Sequence, residues 1–126
     1  MGPLIPKAEF EQLVRDAVGA LPDDFLSIMH NVDVHVRRKP TVRQLRILQL
    51  ERREMLLGLY EGIPLTKRTT DYGMVSPDII TLFQEPIEAV CDTREDLVAE
   101  IRRTVIHEVA HHFGITDVEL DAWGVN

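Results

Sequence analysis

Two histidines and a glutamate have the spacing of a metal-binding group on one helix face. His107 and His111 are four residues apart, and Glu108 directly follows the first histidine. At 3.6 residues per turn, the two histidines lie about 40° apart on the same face of a helix, one turn from each other. Two imidazoles placed in this way can bind one divalent ion, and a neighbouring glutamate can hold a water molecule beside it. The spacing therefore predicts a hydrolytic metal site with Glu108 as its general base.

Gly114 and Asp117 extend this pattern. Gly114 is predicted to end the helix, because glycine is common just beyond a helix C-terminus, and Asp117 then comes round as a candidate third ligand. Three protein ligands and one open position are typical of catalytic zinc sites, so Zn²⁺ is the predicted cofactor. Asp117 could instead cap a short helix over Val118–Trp123, in which case Glu119 and Asp121 are the substitute ligands. The predicted zinc ligands are His107, His111 and Asp117.

The motif lies at the end of the most regularly patterned segment. Thr93–Asp96 resembles a capping box, and the helix that it starts is predicted to run to Phe113. The apolar stripe of this helix is predicted to be Leu97, Ile101 and Val105. The histidine pair falls off the stripe, and its alternative role is a solvated face near a helix end, where the helix dipole favours protonated histidine. His112 lies about 140° round the helix from His107, so we expect it to support a ligand or to pack rather than to bind metal itself.

The remaining patterns predict helices and a small sheet in front of the long helix. Because the strands precede that helix instead of alternating with helices, an α+β arrangement is favoured. Helices are predicted over Lys7–Ala20, Asp23–Met29, part of Thr41–Glu54, Glu85–Cys91 and Val118–Trp123. Strands are predicted over Val32–Val36, Met55–Tyr60 and Asp78–Phe83. The Met55–Tyr60 run is almost continuously apolar and predicts a strand covered on both faces, and a long loop is predicted over Leu65–Pro77.

The composition is that of one acidic domain. The chain has 126 residues, 44% of them apolar, and a formal net charge of −7, which suits a single domain with its own core. The negative charge argues against a nucleic-acid partner, whose binding surface is normally basic. The single cysteine, Cys91, excludes an internal disulfide and is expected in the core. Neither a leader pattern nor 18 consecutive apolar residues is found, so we expect a cytoplasmic monomer without a membrane partner.

The motif and its surroundings resemble a known family. The pattern H-E-x-x-H-x-x-G-x-x-D, its helix and the segment from Leu56 to Phe83 are similar to the mini-zincins, small bacterial domains of the zincin metallopeptidase superfamily. The resemblance covers Phe10 to Trp123. It implies one minimal zincin-like domain over residues 1–126, with a three- or four-stranded mixed sheet packed on a long active-site helix. It also implies a peptide or protein substrate, a zinc ion held by the three predicted ligands, and Glu108 as the base.

One branch of the superfamily is excluded by the sequence. Metzincins carry a third histidine where Asp117 stands, and a Met-turn further on. Nine residues follow Asp117 here and none is methionine, so we expect no C-terminal subdomain and no deep specificity pocket. Tyr60 and Tyr72 are expected to be packing residues, and no oxyanion-stabilising residue is predicted.

Two other functions stay open beside the peptidase. The endoribonucleases of rRNA maturation have a related H-x-x-x-H-x-x-G pattern, with a histidine at the spacing that Asp117 holds. Glu108, where that family usually has glycine, and the acidic charge count against this alternative. The third hypothesis is a module that binds metal or a partner protein without turnover.

Overall fold

The computed structural model describes residues 4–48, 56–62 and 76–125, and within them six helices and three strands. The helices are α1 (Lys7–Gly19), α2 (Asp23–Ile28), α3 (Val42–Ile47), α4 (Gln84–Ala89), α5 (Arg94–Phe113) and α6 (Asp117–Ala122). The strands are β1 (Val32–Arg37), β2 (Gly58–Glu61) and β3 (Asp78–Phe83). The fold is α+β, as the order of the sequence patterns predicts.

The sheet is mixed and has β3 at its centre. β1 pairs with β3 in parallel, with Val32 opposite Asp78, and β2 pairs with it antiparallel, with Gly58 opposite Leu82. A central strand is covered on both sides, which explains the nearly continuous apolar run of β3 and its burial. The helix α5 packs against both β2 and β3. The small mixed sheet on a long helix, which the resemblance implies, is therefore confirmed.

The long helix α5 owes its bounds to local sequence signals. The Thr93 side chain accepts a hydrogen bond from the Asp96 amide at 3.0 Å, and Asp96 Oδ2 accepts one from the Thr93 amide at 3.2 Å. At the other end Gly114 adopts a φ of 67°, and the Ile115 amide donates to the Ala110 carbonyl at 2.9 Å. Glycine takes this left-handed conformation without steric cost. The core face of the helix is at most 1% exposed at Leu97, Ile101, Val105 and Val109.

The N-terminal part of the chain is fastened to this core in two ways. The helix α1 packs on α5 through its predicted apolar stripe, Phe10, Leu13, Val14 and Ala17. The segment before α1 is held by two buried side chains of α4. Glu88 Oε2 accepts a hydrogen bond from the Ile5 amide at 3.0 Å, and Gln84 Nε2 donates one to the Ile5 carbonyl at 2.8 Å.

Two predicted elements are corrected. β2 begins at Gly58 and ends at Glu61, whereas Met55, the predicted start, lies outside the described residues. Gly58 alone among the residues of β2 is buried, so the prediction that both faces of this strand are covered is wrong. Among the described residues β2 pairs with β3 alone, and Leu59 and Tyr60 line a cavity beside α5. The last helix begins at Asp117 instead of Val118.

Other predictions fall partly beyond the described chain. The helix α3 lies within the predicted Thr41–Glu54 piece, but residues 49–55 are not described. The same holds for residues 63–75, which include most of the predicted Leu65–Pro77 loop and Tyr72. Within the described ranges no helix has both the length and the apolar character needed to cross a bilayer.

Candidate metal centre

His107 and His111 present two neighbouring imidazoles on the exposed side of α5. The ring centroids are 6.2 Å apart and the ring planes are tilted by 54°. Both side chains are exposed, while Val105 and Val109 are buried on the opposite side of the helix. The core stripe therefore fixes the direction in which the histidine pair points, as the periodicity predicts.

The donor chemistry and spacing of this pair fit a zinc ion. With Zn–N bonds of about 2.1 Å, two imidazoles that share an ion have centroids at most about 6.5 Å apart, and about 5.3 Å apart in tetrahedral geometry. The observed 6.2 Å lies within this limit, and a small rotation of the two exposed side chains shortens it. The pair supplies two of the three protein ligands that a catalytic zinc site needs.

Glu108 is half-buried beside the pair. Burial raises the pKa of its carboxyl group above the ordinary value, because desolvation disfavours the charged form. Coulombic interactions with His107 and His111 act in the opposite direction and are smaller. A carboxylate that holds its proton more readily than a free glutamate is suited to general base catalysis near neutral pH.

Asp117 is exposed and is the first residue of α6. In the described ranges, no group of three or more His, Cys, Asp or Glu side chains is close enough to hold a metal ion. Asp117 as third ligand therefore stays a prediction. The alternative, that Asp117 caps the last helix, is wrong, because Thr116 is the cap: its side chain accepts a hydrogen bond from the Glu119 amide at 3.2 Å. Glu119, one of the substitute ligands, bonds back to the Thr116 amide at 3.2 Å.

A cleft runs between β2 and the metal-binding face of α5, with Glu108 in its middle. On the C-terminal side of Glu108 a cavity of about 570 Å³ is bounded by Leu59, Tyr60 and His111, among others. On the N-terminal side a cavity of about 330 Å³ is bounded by His107 and Thr104. Leu56, Gly58 and Glu108 line both cavities. An extended chain lying in both cavities would pass directly beside Glu108.

Tyr60 and Asp78 form a cluster with His112 that the sequence does not reveal. The Tyr60 hydroxyl donates to Asp78 Oδ2 at 2.6 Å, and the Tyr60 ring stacks on the His112 ring with centroids 3.8 Å apart and planes 15° apart. Asp78 is 5% exposed, and its Oδ2 lies 3.9 Å from His112 Nε2. His112 thus packs, as expected from its angle on the helix. In the sequence, only one feature draws attention to Asp78: it is an acidic residue at the start of a strand that is otherwise rich in β-branched residues.

The comparison with sequence families identifies the family of the chain. A family described as zincin-like metallopeptidase matches residues 29–125, which include all three strands and α5. This chain belongs to the zincin-like metallopeptidase family. Membership in the zincin-like family places it among the metal-dependent hydrolases of the zincin superfamily and implies a metal, typically zinc.

A solved structure has a similar fold. It is described as a conserved hypothetical protein from Thermo thermophilus. The two chains share 24% identity with a TM-score of 0.56, over 86% of this chain and 94% of that one. At this level of identity the likeness shows a shared fold alone. No curated protein matches the chain.

Proposed function

We propose that this protein is a zinc-dependent peptidase in which His107, His111 and Asp117 hold the metal and Glu108 is the general base. The observation that carries the proposal is the position of Glu108. It lies half-buried between two imidazoles on one side and the strand β2 on the other, at the junction of both cavities. A glutamate in a solvated helix face would be exposed and would line no cleft.

The proposed reaction uses Glu108 as a proton carrier. When bound, zinc lowers the pKa of a water molecule to about 7 and polarises the scissile carbonyl group. Glu108 accepts a proton from the attacking water as the new C–O bond forms, and delivers that proton to the amine nitrogen as the C–N bond breaks. The products are a carboxylic acid and an amine, and Glu108 returns to its charged form.

The substrate in this proposal is a peptide or protein segment that lies extended in the cleft. Two adjoining cavities that share Glu108, one on each side of it along α5, support an extended chain over a compact small molecule. The cytoplasmic location, the monomeric state and the absence of nucleic-acid and membrane partners, all expected from the sequence, are parts of the same proposal.

The decisive experiment compares Glu108→Gln with His107→Ala. We expect Glu108→Gln to bind zinc as the wild type does, and to lose about 10²- to 10⁴-fold in kcat on a cleavable peptide, because only the proton transfer is removed. His107→Ala should lose both zinc and turnover. Zinc content is measured by metal analysis of the purified protein, and turnover with a peptide library read by mass spectrometry.

The other outcomes separate the alternatives. If the wild type binds zinc but cleaves no peptide of the library, the module without turnover is favoured. If the wild type cleaves structured RNA and not peptides, the endoribonuclease is favoured. Unchanged peptide turnover in Glu108→Gln would refute the role of Glu108.

A further inference from the structure

The two histidines of the metal-binding pair are held by different parts of the structure. His107 lies between Val105 and Val109, which are 1% and 0% exposed, so the helix is packed against the core on both sides of it. His111 lies beyond Ala110, the last buried residue of α5. Its position therefore depends on whatever holds the final turn of the helix.

In the described ranges, backbone hydrogen bonds and aromatic side-chain contacts hold the final turn. The bond from the Ile115 amide to the Ala110 carbonyl closes the helix end, but it links neighbours along the chain and does not fix the turn against the sheet. Phe113 remains 44% exposed. Helix ends with little packing tend to fray. Ile115 packs against the core after the helix has ended, so a contact of the turn itself with the sheet would add to the restraint on His111.

The stack of Tyr60 on His112 supplies this contact. Its 15° interplanar angle and 3.8 Å centroid distance mean that the two rings lie face to face. The edge of Phe113 meets the His112 ring at 5.0 Å and the Tyr60 ring at 6.0 Å. A Cβ atom at Gly62 would lie 3.3 Å from His112 Cε1, so the chain directly after β2 also lies close to this ring.

Tyr60 is in turn fixed to the centre of the sheet. Its hydroxyl group bonds to the buried Asp78 at 2.6 Å, and Asp78 is the first residue of the central strand β3. The chain of contacts therefore runs from β3 through Asp78, Tyr60 and His112 to the helix turn that carries His111. Tyr60 and His112 also bound the larger cavity of the cleft.

The geometry points to Tyr60 as a positioning residue, which holds the last turn of α5 against the sheet so that His111 stays opposite His107 for metal binding. This role rests on the proposed function, since it concerns the same metal ion. The Tyr60 ring lies on His112 and its hydroxyl is bonded to Asp78, so the inference assigns Tyr60 a role in positioning and none as a metal ligand. Partners that orient metal ligands commonly contribute about 10- to 100-fold to metal affinity.

The test uses Tyr60→Leu, which removes both the stack and the hydroxyl, and Tyr60→Phe, which keeps the ring. Val14→Ala is the matched control, because it trims the core on α1, away from the cleft. Three quantities are measured on folded protein. They are the zinc dissociation constant by competition with a chromogenic chelator, the visible spectrum of the Co²⁺ form, and amide hydrogen exchange over residues 108–115 in metal-free protein.

We expect Tyr60→Leu to bind zinc about 10- to 100-fold more weakly, to change the Co²⁺ spectrum and to exchange faster at the end of α5. Tyr60→Phe should lie between this variant and the wild type. Val14→Ala should match the wild type in zinc affinity and spectrum, although it is less stable.

Two results would overturn the inference. One is a Tyr60→Leu protein with wild-type zinc affinity and wild-type exchange at the helix end. The other is an equal loss of zinc affinity in Val14→Ala, which would assign the effect to general destabilisation. A wild type that binds no zinc refutes the proposed function itself, and the role of Tyr60 with it.

Discussion

Burial destabilises the ionised form of Glu108, and its two histidine neighbours offset this effect only in part. Burial raises the pKa of its carboxyl group, and the smaller Coulombic effects of His107 and His111 lower it. The folded protein therefore binds the Glu108 proton more tightly than the unfolded chain does. At a pH above the pKa that Glu108 has in the folded protein, the ionised carboxylate lowers the free energy of unfolding. This destabilisation disappears as the pH falls below the pKa that Glu108 has in the unfolded chain.

Glu108→Gln should therefore stabilise the metal-free protein at neutral pH. Glutamine has nearly the same shape and no charge to desolvate, so the unfolding midpoint should rise relative to the wild type. The difference should be largest above the raised pKa and should shrink as the pH falls towards 4.5, the ordinary value. Thermal unfolding with a chelator from pH 4.5 to 8 measures it. The control is Glu95→Gln on the exposed first turn of α5; a pH trend of the same size there would contradict this explanation.

Asp117 and Thr116 are adjacent but should have separable roles. Thr116→Ala removes the side chain that caps α6, so we expect a loss of about 1 kcal/mol in the free energy of unfolding and no change in zinc affinity. Loss of a residue that only orients a metal ligand typically weakens metal binding roughly 10- to 100-fold. Asp117→Ala should weaken zinc binding by more than this, with little change in the stability of the metal-free protein. Urea unfolding and zinc titration of both variants measure this. Wild-type zinc affinity in Asp117→Ala would exclude it as a ligand.

The sequence predicts the positions of some functional side chains better than those of others. The direction of His107 and His111 follows from helix periodicity, which relates residues one turn apart. The contact of Tyr60 with Asp78 arises instead from the antiparallel pairing of β2 with β3, in which Tyr60 faces Ile80. That register is set by tertiary packing and not by a local pattern. The ligand role of Asp117 depends on a turn whose geometry three residues of sequence do not specify.

Among the elements, the contact of β2 with α5 sets the width of the cleft. Gly58 lies on this strand, and a Cβ atom there would come within 2.7 Å of Thr104 Cγ2. Real Cβ atoms do not approach a methyl group so closely, so a side chain at residue 58 would force either Thr104 or the helix to shift. The same strand forms the wall of the cleft opposite Glu108.

Gly58→Ala should push α5 away from β2. We expect a loss of about 1 to 3 kcal/mol in the free energy of unfolding, the usual cost of overfilling a packed contact. Adding Thr104→Ser removes the clashing methyl group and keeps the hydroxyl that bonds to Glu100, so the double variant should recover most of the loss. Chemical denaturation of both single variants and of the double variant measures the coupling. Additive losses would contradict a direct clash.

The bounds of α5 were predictable and those of β2 were not. The capping box at Thr93 and the glycine at 114 are local signals, and both act as the sequence indicates. The only signal for β2 is a run of apolar residues. Such a run is found both in strands buried on two faces and in strands that lie beside a cleft, so it does not distinguish them. Among the described strands β2 pairs with β3 alone, and this position depends on long-range pairing instead of on its own sequence pattern.

In the molecule as a whole, the core joins segments that are distant in sequence. The two bonds from α4 to Ile5 fix the chain before α1, and an ion pair between Glu9 and Arg94 joins α1 to the start of α5. Cys91 follows α4 and is 3% exposed within this core. Burial, followed by Coulombic interaction with Glu100 and Asp96, raises the pKa of its thiol, and Arg103 opposes this shift.

The thiol of Cys91 should react only when the whole domain opens. A raised pKa leaves little thiolate, and burial blocks the reagent. We expect labelling by a thiol reagent at pH 8 to be slow in buffer and complete in denaturant, with a rate that follows the global unfolding transition. The chain contains one cysteine, so Cys91→Ser gives the background. Fast labelling under native conditions would show that the α4 end of the core opens locally.

The central position of β3 also has a consequence for the order of assembly. β1 and β3 can pair only after the long intervening chain has closed on itself, and such contacts usually form slowly. The contacts within α5 are local, and its histidine pair lies on one face as soon as the helix exists. The helix that carries the imidazoles should therefore form before β2 arrives to build the opposite wall and to hold the last turn. Zinc present during folding would then enter from the open side, and loading would not have to wait for a finished cleft to open.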